Sequence, residues 1–297
     1  MPRAVPPGPP AEEIALPMLN PESAGGGNLP AQYASEPVVA ARAVAVGVVV
    51  FDLDGTILDD ISPISHVAAD VMREAFGTPP EEGRVHYLAT TGMPFEAQLA
   101  QLYPESPPEL RAQVARKFHQ RKIQEAYAHA SAFPEMPRVL KQLDRAGWTM
   151  VISTGAEREM GEIILEREGL RMWFESVLGS GQGTKREHLV EYQRRYPEAR
   201  LFLVGDSRFD MEAARDSPGV TAIGRASSVH GWGLSPKDLR RWGAAYADYS
   251  LSTLPEALEK LLREPATPRP SRSPRRAARA PGRATTGRAP ARRTRRR

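Results

Sequence analysis

Short apolar runs alternate along this chain with stretches of helical periodicity, and this alternation constrains the fold more than any other feature. The runs are rich in β-branched residues, as is typical of strands buried on both faces; they lie at 44–53, 148–152, 176–178, 201–204 and 220–223. Helical patterns follow at 137–145, 157–168, 185–195 and 209–215. Strands alternating with helices indicate a parallel sheet with helices on both faces. We therefore predict an α/β fold with a three-layer, Rossmann-like core.

One interval breaks the alternation. Between residues 57 and 133 no strand run occurs, and helical patterns lie instead at 65–76, 95–102 and 109–129. A turn at 90–94 (TTGMP) separates two of them, and we expect it to be the loop of this insertion that faces a substrate. Helices inserted between two core elements predict a separate all-helical cap domain. The predicted boundaries are 57–133 for the cap, and 44–56 with 134–262 for the core.

The two ends of the chain differ in composition from the middle. Residues 1–43 are rich in Pro, Gly, Ala and Ser without an apolar period, which predicts a disordered leader. Residues 263–297 are predicted to be a disordered tail, in which 12 arginines and no acid follow residue 264. The chain carries a net charge of +4, whereas residues 44–264 alone carry −6, so the positive excess lies in the tail. The tail could make a weak contact with a polyanion such as a nucleic acid.

Several classes of protein are excluded by composition. The chain has no cysteine, so a disulfide framework, a thiolate zinc site and a cysteine nucleophile are ruled out. No apolar run approaches the ~20 residues of a membrane span, and the N-terminus lacks the apolar stretch of a secretory signal. We therefore expect a soluble, cytoplasmic protein with no membrane partner. The six histidines are scattered and suggest no catalytic triad; His188 lies on a polar helix without an evident role.

The most specific motif is the hexapeptide FDLDGT, residues 51–56, at the end of the first run. Ligands of open parallel sheets bind at the carboxyl ends of the strands. Alternation places Asp52 and Asp54 on one side and turns Leu53 into the packing, and Gly55 permits a sharp turn. Two such carboxylates can bind a divalent cation, or one can attack an electrophile while the other handles a proton. A solvated turn is the alternative, but the wholly apolar strand before it argues against this.

Hydroxyl side chains follow the second core strand. Ser153 and Thr154 precede a helix, and hydroxyls with free backbone amides at a helix N-terminus can bind phosphate. We take both as candidate phosphate-binding residues, although serine and threonine often only cap a helix.

A glycine-rich segment at 179–185 ends in Lys185. It resembles a nucleotide-binding loop only superficially, because Thr184 and Arg186 stand where that motif requires glycine and a hydroxyl residue. We interpret it as a loop that delivers the Lys185 cation to the site, although local sequence alone favours a surface lysine.

A second acidic strand tip follows the run at 201–204. Asp206 is expected beside the first motif, and Asp210, at the start of a helix, could ligate a metal or orient a ligand water rather than merely cap the helix. Oxygen-only ligands favour Mg²⁺ over zinc or copper. Mg²⁺, a lysine and amide donors together are arranged to hold a phosphoryl group and its developing charge.

These four motifs, in this order, resemble those of the haloacid dehalogenase superfamily of phosphatases. The first motif of that family is matched by DLDGT (52–56), the second by Ser153, the third by Lys185 and the fourth by Gly205-Asp206-Ser207 with Asp210. The helical insertion resembles the cap of the branch that includes phosphoglycolate phosphatases and β-phosphoglucomutases. The resemblance extends over about residues 44–260.

The resemblance implies a Mg²⁺-dependent phosphatase that acts on a small phosphorylated metabolite. Asp52 would attack phosphorus and form an aspartyl-phosphate. Asp54 would protonate the leaving alcohol and then activate the water that hydrolyses this intermediate. The carboxyl group of Asp54 would therefore start protonated near neutral pH, as expected beside other carboxylates.

The same resemblance implies the binding residues. Asp52, the backbone carbonyl of Asp54 and Asp206 would hold Mg²⁺, with Asp210 supporting the metal shell. Ser153 and Lys185 would bind the phosphoryl oxygens.

Three other activities are weighed against this one. Dehalogenases of the family lack an aspartate at the position of Asp54, so its presence argues against carbon–halogen cleavage. A phosphomutase of the same fold remains open, since only the cap would decide whether a second substrate hydroxyl replaces water. A nucleic-acid-associated protein acting through the tail is a further alternative, although the tail lacks aromatics and the core is acidic. The sequence does not identify the phosphate ester; phosphoglycolate or a sugar phosphate is the expectation.

Overall fold

A single parallel sheet organises the computed structural model, which describes residues 46–227 and 233–264. The predicted leader, 1–43, and all but the first two residues of the predicted tail lie outside these ranges. Within them the sheet has six strands in the order β3-β2-β1-β4-β5-β6. The strands are β1 (Val48–Phe51), β2 (Thr149–Ser153), β3 (Ser176–Leu178), β4 (Leu201–Gly205), β5 (Val220–Arg225) and β6 (Tyr246–Asp248).

Helices cover both faces of this sheet. Val49 and Phe51 of β1 belong to a buried cluster shared with the core helices α5, α6 and α10 and with the insertion, whereas Val48 and Val50 belong to one shared with α7, α8 and α9. The predicted three-layer α/β core is thereby confirmed. The helices are α1 (Ile61–Phe76), α2 (Pro80–Ala89), α3 (Phe95–Leu102), α4 (Pro108–Arg121), α5 (Met136–Arg145), α6 (Arg158–Arg167), α7 (Lys185–Arg195), α8 (Arg208–Arg215), α9 (Pro236–Trp242) and α10 (Leu254–Arg263).

The first strand is central because its side chains are apolar on both faces. All four residues of β1 are fully buried, and burying an aliphatic or aromatic side chain of this size stabilises a fold by about 1.5–3 kcal/mol. A strand with no polar face fits only between two helix layers. This placement brings the polar residues after Phe51 to the middle of the sheet edge.

The insertion after β1 is helical, as predicted, but its elements differ from the expectation in two places. The sequence did not predict helix α2, because its residues, PEEGRVHYLA, include few apolar positions. The helix packs closely against α1 at Gly83, where a β-carbon would crowd the backbone of Ala69. The expectation of one helix over 109–129 is wrong. The α-helix ends at Arg121 and is followed by a π-helical turn, Lys122–Ala126, and a 3₁₀ turn, Tyr127–His129.

The two connections between core and insertion run beside each other. Leu58 forms an antiparallel bridge with Ala132. The amide of Asp59 donates to the carbonyl of Ser131 at 2.9 Å, and the amide of Phe133 donates to that of Ile57, also at 2.9 Å. Because the first connection starts at the end of β1, this pairing places both connections at the carboxyl edge of the sheet.

The edge strand β6 is a further difference from the sequence prediction. Its residues, Tyr-Ala-Asp, form no apolar run, and it is defined by pairing with β5, in which Ile223 lies opposite Tyr246. None of the helices in the two described ranges combines the length and the apolar character needed to cross a membrane.

Candidate active site

Three strands end side by side at the carboxyl edge of the sheet. In the register, Phe51 of β1 lies opposite Ile152 of β2 and Val204 of β4. The next residue on each strand is therefore Asp52, Ser153 or Gly205, and the amide of Asp52 donates to the carbonyl of Val204 at 2.9 Å. The parallel sheet thus brings together polar residues that are separated by 101 and 52 positions in the sequence.

Two glycines allow the carboxylates to approach the backbone. Gly55 has a φ of +71°, and a β-carbon there would clash with the carboxylate of Asp206. A β-carbon on Gly205 would clash with the carboxylate of Asp210. Gly55, in the first acidic motif, and Gly205, just before the second, therefore leave room for the acids to pack closely. At Gly55 this role is in addition to the sharp turn expected from the sequence.

Lys185 is the cation nearest to the Asp52 carboxylate. It is the first residue of α7, whose N-cap Thr184 forms a capping box with Glu187. Its Nζ lies 3.0 Å from Asp52 Oδ1 and donates a hydrogen bond to Asp210 Oδ1. Burial opposes its charge, but the two carboxylates outweigh this effect and raise the pKa of Lys185. The glycine-rich loop therefore does deliver a charged lysine to the strand tips.

Asp210 is held from two sides. Ser207 caps α8, and both its backbone amide and its hydroxyl donate to Asp210 Oδ2, at 3.0 and 2.6 Å. The other oxygen, Oδ1, accepts from Lys185. Asp210 therefore occupies position N3 of a capping box whose N-cap residue is Ser207. It also belongs to the acidic site.

Three buried carboxylates come close enough to share one cation. Among the described residues, Asp52, Asp206 and Asp210 form a group whose ligand oxygens all lie within 4.8 Å of one another. Burial, only partly offset by Lys185, raises the pKa of Asp52 to about 7, and burial with the neighbouring carboxylates raises that of Asp206 well above its usual value. Both shifts reflect the cost of burying charged carboxylates beside one another, and a divalent cation would lower this cost. This donor set fits a hard, oxygen-binding metal ion.

The Asp54 carboxylate lies in a different environment. Lys122 Nζ lies 2.7 Å from its Oδ2, and the Tyr127 hydroxyl lies 2.7 Å from Oδ1 and donates to the carboxylate. Burial acts to raise the pKa of Asp54, but Lys122 and hydrogen bonds from Asp60, Lys122 and Tyr127 outweigh it, so the pKa is lowered. The expectation that Asp54 starts protonated is therefore wrong for the chain without substrate, because its nearest charge is a cation rather than a carboxylate.

Asp60 is a buried acid that sequence reasoning missed. It is fully buried, and its Oδ1 accepts from the amide of Gly55 at 3.0 Å. Burial and the adjacent Asp54 charge raise the pKa of Asp60 well above its usual value. A protonated Asp60 can donate to the Asp54 carboxylate, which accounts for part of the lowered pKa of Asp54.

The hydroxyl residues after β2 differ in their surroundings. Ser153 is fully buried and its Oγ lies 2.9 Å from Nδ1 of His188, a residue for which no role was predicted. Burial and the nearby Lys185 lower the pKa of His188 to about 4, so that its ring is neutral at pH 7. Thr154 accepts from the amide of Ala156 at 3.0 Å and thus shapes the turn into α6.

The turn at 90–94 lies against the fourth motif. Gly92 has a φ of +91°, and a β-carbon there would clash with the side chain of Ser207. The buried side chain of Gln98 holds the turn by accepting from Thr90 Oγ1 at 2.7 Å and donating to the carbonyl of Met93 at 2.8 Å. This part of the insertion therefore lies next to the fourth motif; that it faces a substrate stays a prediction.

Comparison with known proteins agrees with this geometry. Residues 49–224, more than half of the chain, match the family model described as haloacid dehalogenase-like hydrolase. The chain belongs to this hydrolase family. It is 27% identical over 231 residues to the phosphoglycolate phosphatase of Vibrio vulnificus, and the alignment covers 73% of this chain and 96% of that protein. It is also 27% identical to the N-acetylmuramic acid 6-phosphate phosphatase of Pseudomonas aeruginosa, over 66% of this chain and 87% of that one.

Solved structures agree with the fold of this hydrolase. A predicted phosphatase from Clostridium acetobutylicum superposes with a TM-score of 0.62 at 19% identity, covering 73% of this chain and all of that one. The family and the phosphatase class predicted from the four motifs are thus confirmed. The roles of the individual site residues stay predictions.

The structure adds residues of the hydrolase that the motifs did not reveal. Lys122 and Tyr127 lie in the stretch expected to be an uninterrupted helix, so nothing in the local pattern distinguished them. His188 did carry a signal, because it stands three positions after Lys185 and therefore on the same face of α7.

Proposed function

We propose that this hydrolase is a Mg²⁺-dependent phosphatase that cleaves a small phosphomonoester through an aspartyl-phosphate on Asp52. The observation that supports it most is the division of the acids: Asp52 shares Lys185 with Asp210, whereas Asp54 lies apart with Lys122. Two carboxylates in unlike environments can act as a nucleophile and as an acid–base.

In the first step a carboxylate oxygen of Asp52 forms a bond to phosphorus while the bond from phosphorus to the alcohol oxygen breaks. The alcohol oxygen keeps the electron pair and takes a proton from Asp54. Lys185, 3.0 Å from Asp52, favours the anionic form of this carboxylate and offsets charge on the phosphoryl oxygens. Ser153, beside Asp52 in the sheet register, donates its hydroxyl to a phosphoryl oxygen. Asp54 must first gain a proton, so its ion pair with Lys122 has to weaken as the substrate binds.

In the second step a water oxygen attacks the same phosphorus atom. Asp54, now a carboxylate, accepts the water proton, and the bond from Asp52 to phosphorus breaks. Phosphate leaves and both aspartates return to their starting forms. One group thus serves as acid and then as base, which is why its carboxylate must reach both the leaving oxygen and the water.

Asp52 and Asp206, with the backbone carbonyl of Asp54, would hold Mg²⁺, and Asp210 would support them. When bound, the ion neutralises charge that develops on the phosphoryl oxygens. The relatives act on phosphoglycolate and N-acetylmuramic acid 6-phosphate by name, and we propose a small phosphorylated metabolite as the substrate here.

The test is phosphate release from a panel of phosphomonoesters by the wild type and by Asp52→Asn. We expect the substitution to lower kcat by about 10³-fold or more, because the nucleophile is lost. Rapid acid quenching should trap a hydroxylamine-sensitive phosphoryl label on the wild type and none on the variant. EDTA should abolish turnover, and added Mg²⁺ should restore it.

Asp70→Asn serves as the matched control, since Asp70 lies on α1 and pairs with Arg73 and Arg121 within the insertion. It should keep wild-type turnover. Turnover by Asp52→Asn at the wild-type rate would contradict the assignment of the nucleophile. An isomerised sugar phosphate with no released phosphate would favour the phosphomutase instead.

A further inference from the structure

Lys122 is a nearly buried cation whose hydrogen-bonding capacity is only partly used. Its side chain is 11% exposed, its Nζ donates to Asp54 Oδ2 at 2.7 Å, and it lies 4.5 Å from the centre of the Tyr127 ring. An ammonium group has three donors. Among the described residues Asp54 is the hydrogen-bond acceptor that Lys122 reaches, so two donors remain for another group.

The backbone aims this side chain at the carboxyl edge of the sheet. Lys122 is the first residue of the π-helical turn that follows α4, and such wide turns are frequent at functional sites. Its partner Asp54 lies 68 positions earlier in the chain. Lys122 is thus the cation that the insertion supplies to the acidic motifs, whereas Lys185 comes from the core.

In the proposed function, the two lysines would lie at opposite ends of the ester. Lys185 contacts Asp52 and Asp210, the phosphoryl end of the site. Lys122 contacts Asp54, the group that reaches the leaving oxygen in the proposed function. Atoms of the leaving group beyond that oxygen would therefore lie on the side of Lys122.

From this arrangement we infer that Lys122 is a specificity residue that binds an anionic group, such as a carboxylate, on the leaving alcohol. The inference rests on the proposed phosphatase function. A substrate carboxylate loses water on entering the site and needs a compensating charge. Lys122 can share its ammonium between Asp54 and that carboxylate, as Lys185 shares its own between Asp52 and Asp210. Phosphomonoesters of small hydroxy acids are the class that fits.

The test uses two pairs of esters that differ only in a carboxylate: 2-phosphoglycolate with 2-hydroxyethyl phosphate, and 3-phosphoglycerate with glycerol 3-phosphate. The wild type should prefer the carboxylate member of a pair. Lys122→Met should lower kcat/KM for that member about 10- to 100-fold more than for the neutral member, mainly through KM, as loss of a charged hydrogen bond implies. Lys122→Arg should restore much of the preference.

Lys117→Met is the matched control, because Lys117 lies on α4 and pairs with Glu74 at the surface, where its side chain is 54% exposed. It should keep the wild-type preference, and thermal denaturation should show both methionine variants folded. Equal losses on both members of a pair, or a wild type with no preference, would overturn the inference. A wild type that releases no phosphate from any ester would instead overturn the proposed function.

Discussion

At the residue scale, the two aspartates of the first motif have pKa shifts in opposite directions. The pKa of Asp52 is raised to about 7 by burial and neighbouring acids, despite Lys185. Burial also acts to raise the pKa of Asp54, but this pKa is lowered because Lys122 and hydrogen bonds from Asp60 and Tyr127 stabilise its carboxylate. Two aspartates that stand two positions apart in the sequence thus differ in proton affinity. The difference arises because Lys122 and the hydrogen bonds at Asp54 outweigh the effect of burial, whereas Lys185 at Asp52 does not.

A prediction at this scale concerns His188, whose pKa of about 4 lies below the ordinary value of 6.5. Between these values the unfolded chain binds a proton at this position and the folded chain does not, so acid favours unfolding. We expect the wild type to lose thermal stability on going from about pH 7 to about pH 4.5 more steeply than His188→Asn. Asparagine keeps a polar group near Ser153 but cannot titrate. Thermal denaturation at several pH values measures the difference.

The exposed His66 of α1 provides the control for this experiment. His66→Asn should follow the wild-type curve. If His188→Asn and the wild type lose stability in parallel, the folded state does not favour the neutral form of His188. Another acid-sensitive group then dominates the pH dependence of stability.

At the element scale, the turn at 90–94 couples the insertion to the fourth motif, and Gly92 allows the contact. Alanine there would hold a positive φ, with strain of about 1 kcal/mol, and its β-carbon would also clash with Ser207. We expect Gly92→Ala to displace the turn and to lower kcat/KM about 10- to 100-fold, because misplacement of catalytic groups by about 1 Å is enough for such a loss. Steady-state kinetics with the best ester of the panel measures it.

Gly77→Ala separates backbone strain from the clash. Gly77, the C-cap of α1, has a φ of +70° and open space where a side chain would lie. It should lose about as much stability from strain alone but keep its activity. Equal kinetic losses in the two variants would show that the contact between the turn and Ser207 does not matter for catalysis.

Elements whose type follows from their own residues were predictable from the sequence. The core strands β1 to β5 and helices α5 to α8 lie within a few residues of the apolar runs and helical patterns, because buried strands and amphipathic helices carry their own periodicity. Strand β6 was not predictable, since only its pairing with β5 defines it. The π-helical turn after Arg121 was likewise hidden, because the helical pattern continues through it.

The same distinction applies to the site residues: some could be predicted from local sequence and others could not. The strand tips identified Asp52 and Asp206 because buried parallel strands must end at one edge. Lys122 could not be found in this way, since its contact with Asp54 depends on how the insertion folds back over 68 residues. Contacts of this kind are set by the path of the chain, and no local pattern records them.

At the scale of the whole molecule, charge is partitioned between a mildly acidic middle, with −6 over residues 44–264, and a segment after it that holds 12 arginines and no acid. Every candidate site residue lies between positions 52 and 210. Catalysis and any contact with a polyanion should therefore be separable by truncation.

The matching prediction compares the full chain with a variant that lacks residues 265–297, on immobilised heparin and on DNA at low salt. The full chain should be retained and released by rising salt, because cations that neutralise polyanion charges displace counterions. The truncated chain, with a net charge of −6 over 44–264 and −2 over 1–43, should not be retained. A variant with all 12 arginines replaced by lysine keeps the charge and should still bind. Retention of the truncated chain would show that the polyanion contact lies outside residues 265–297. The value of kcat/KM for the ester substrate should be equal in all three proteins, because the carboxylates and lysines of the site are unchanged.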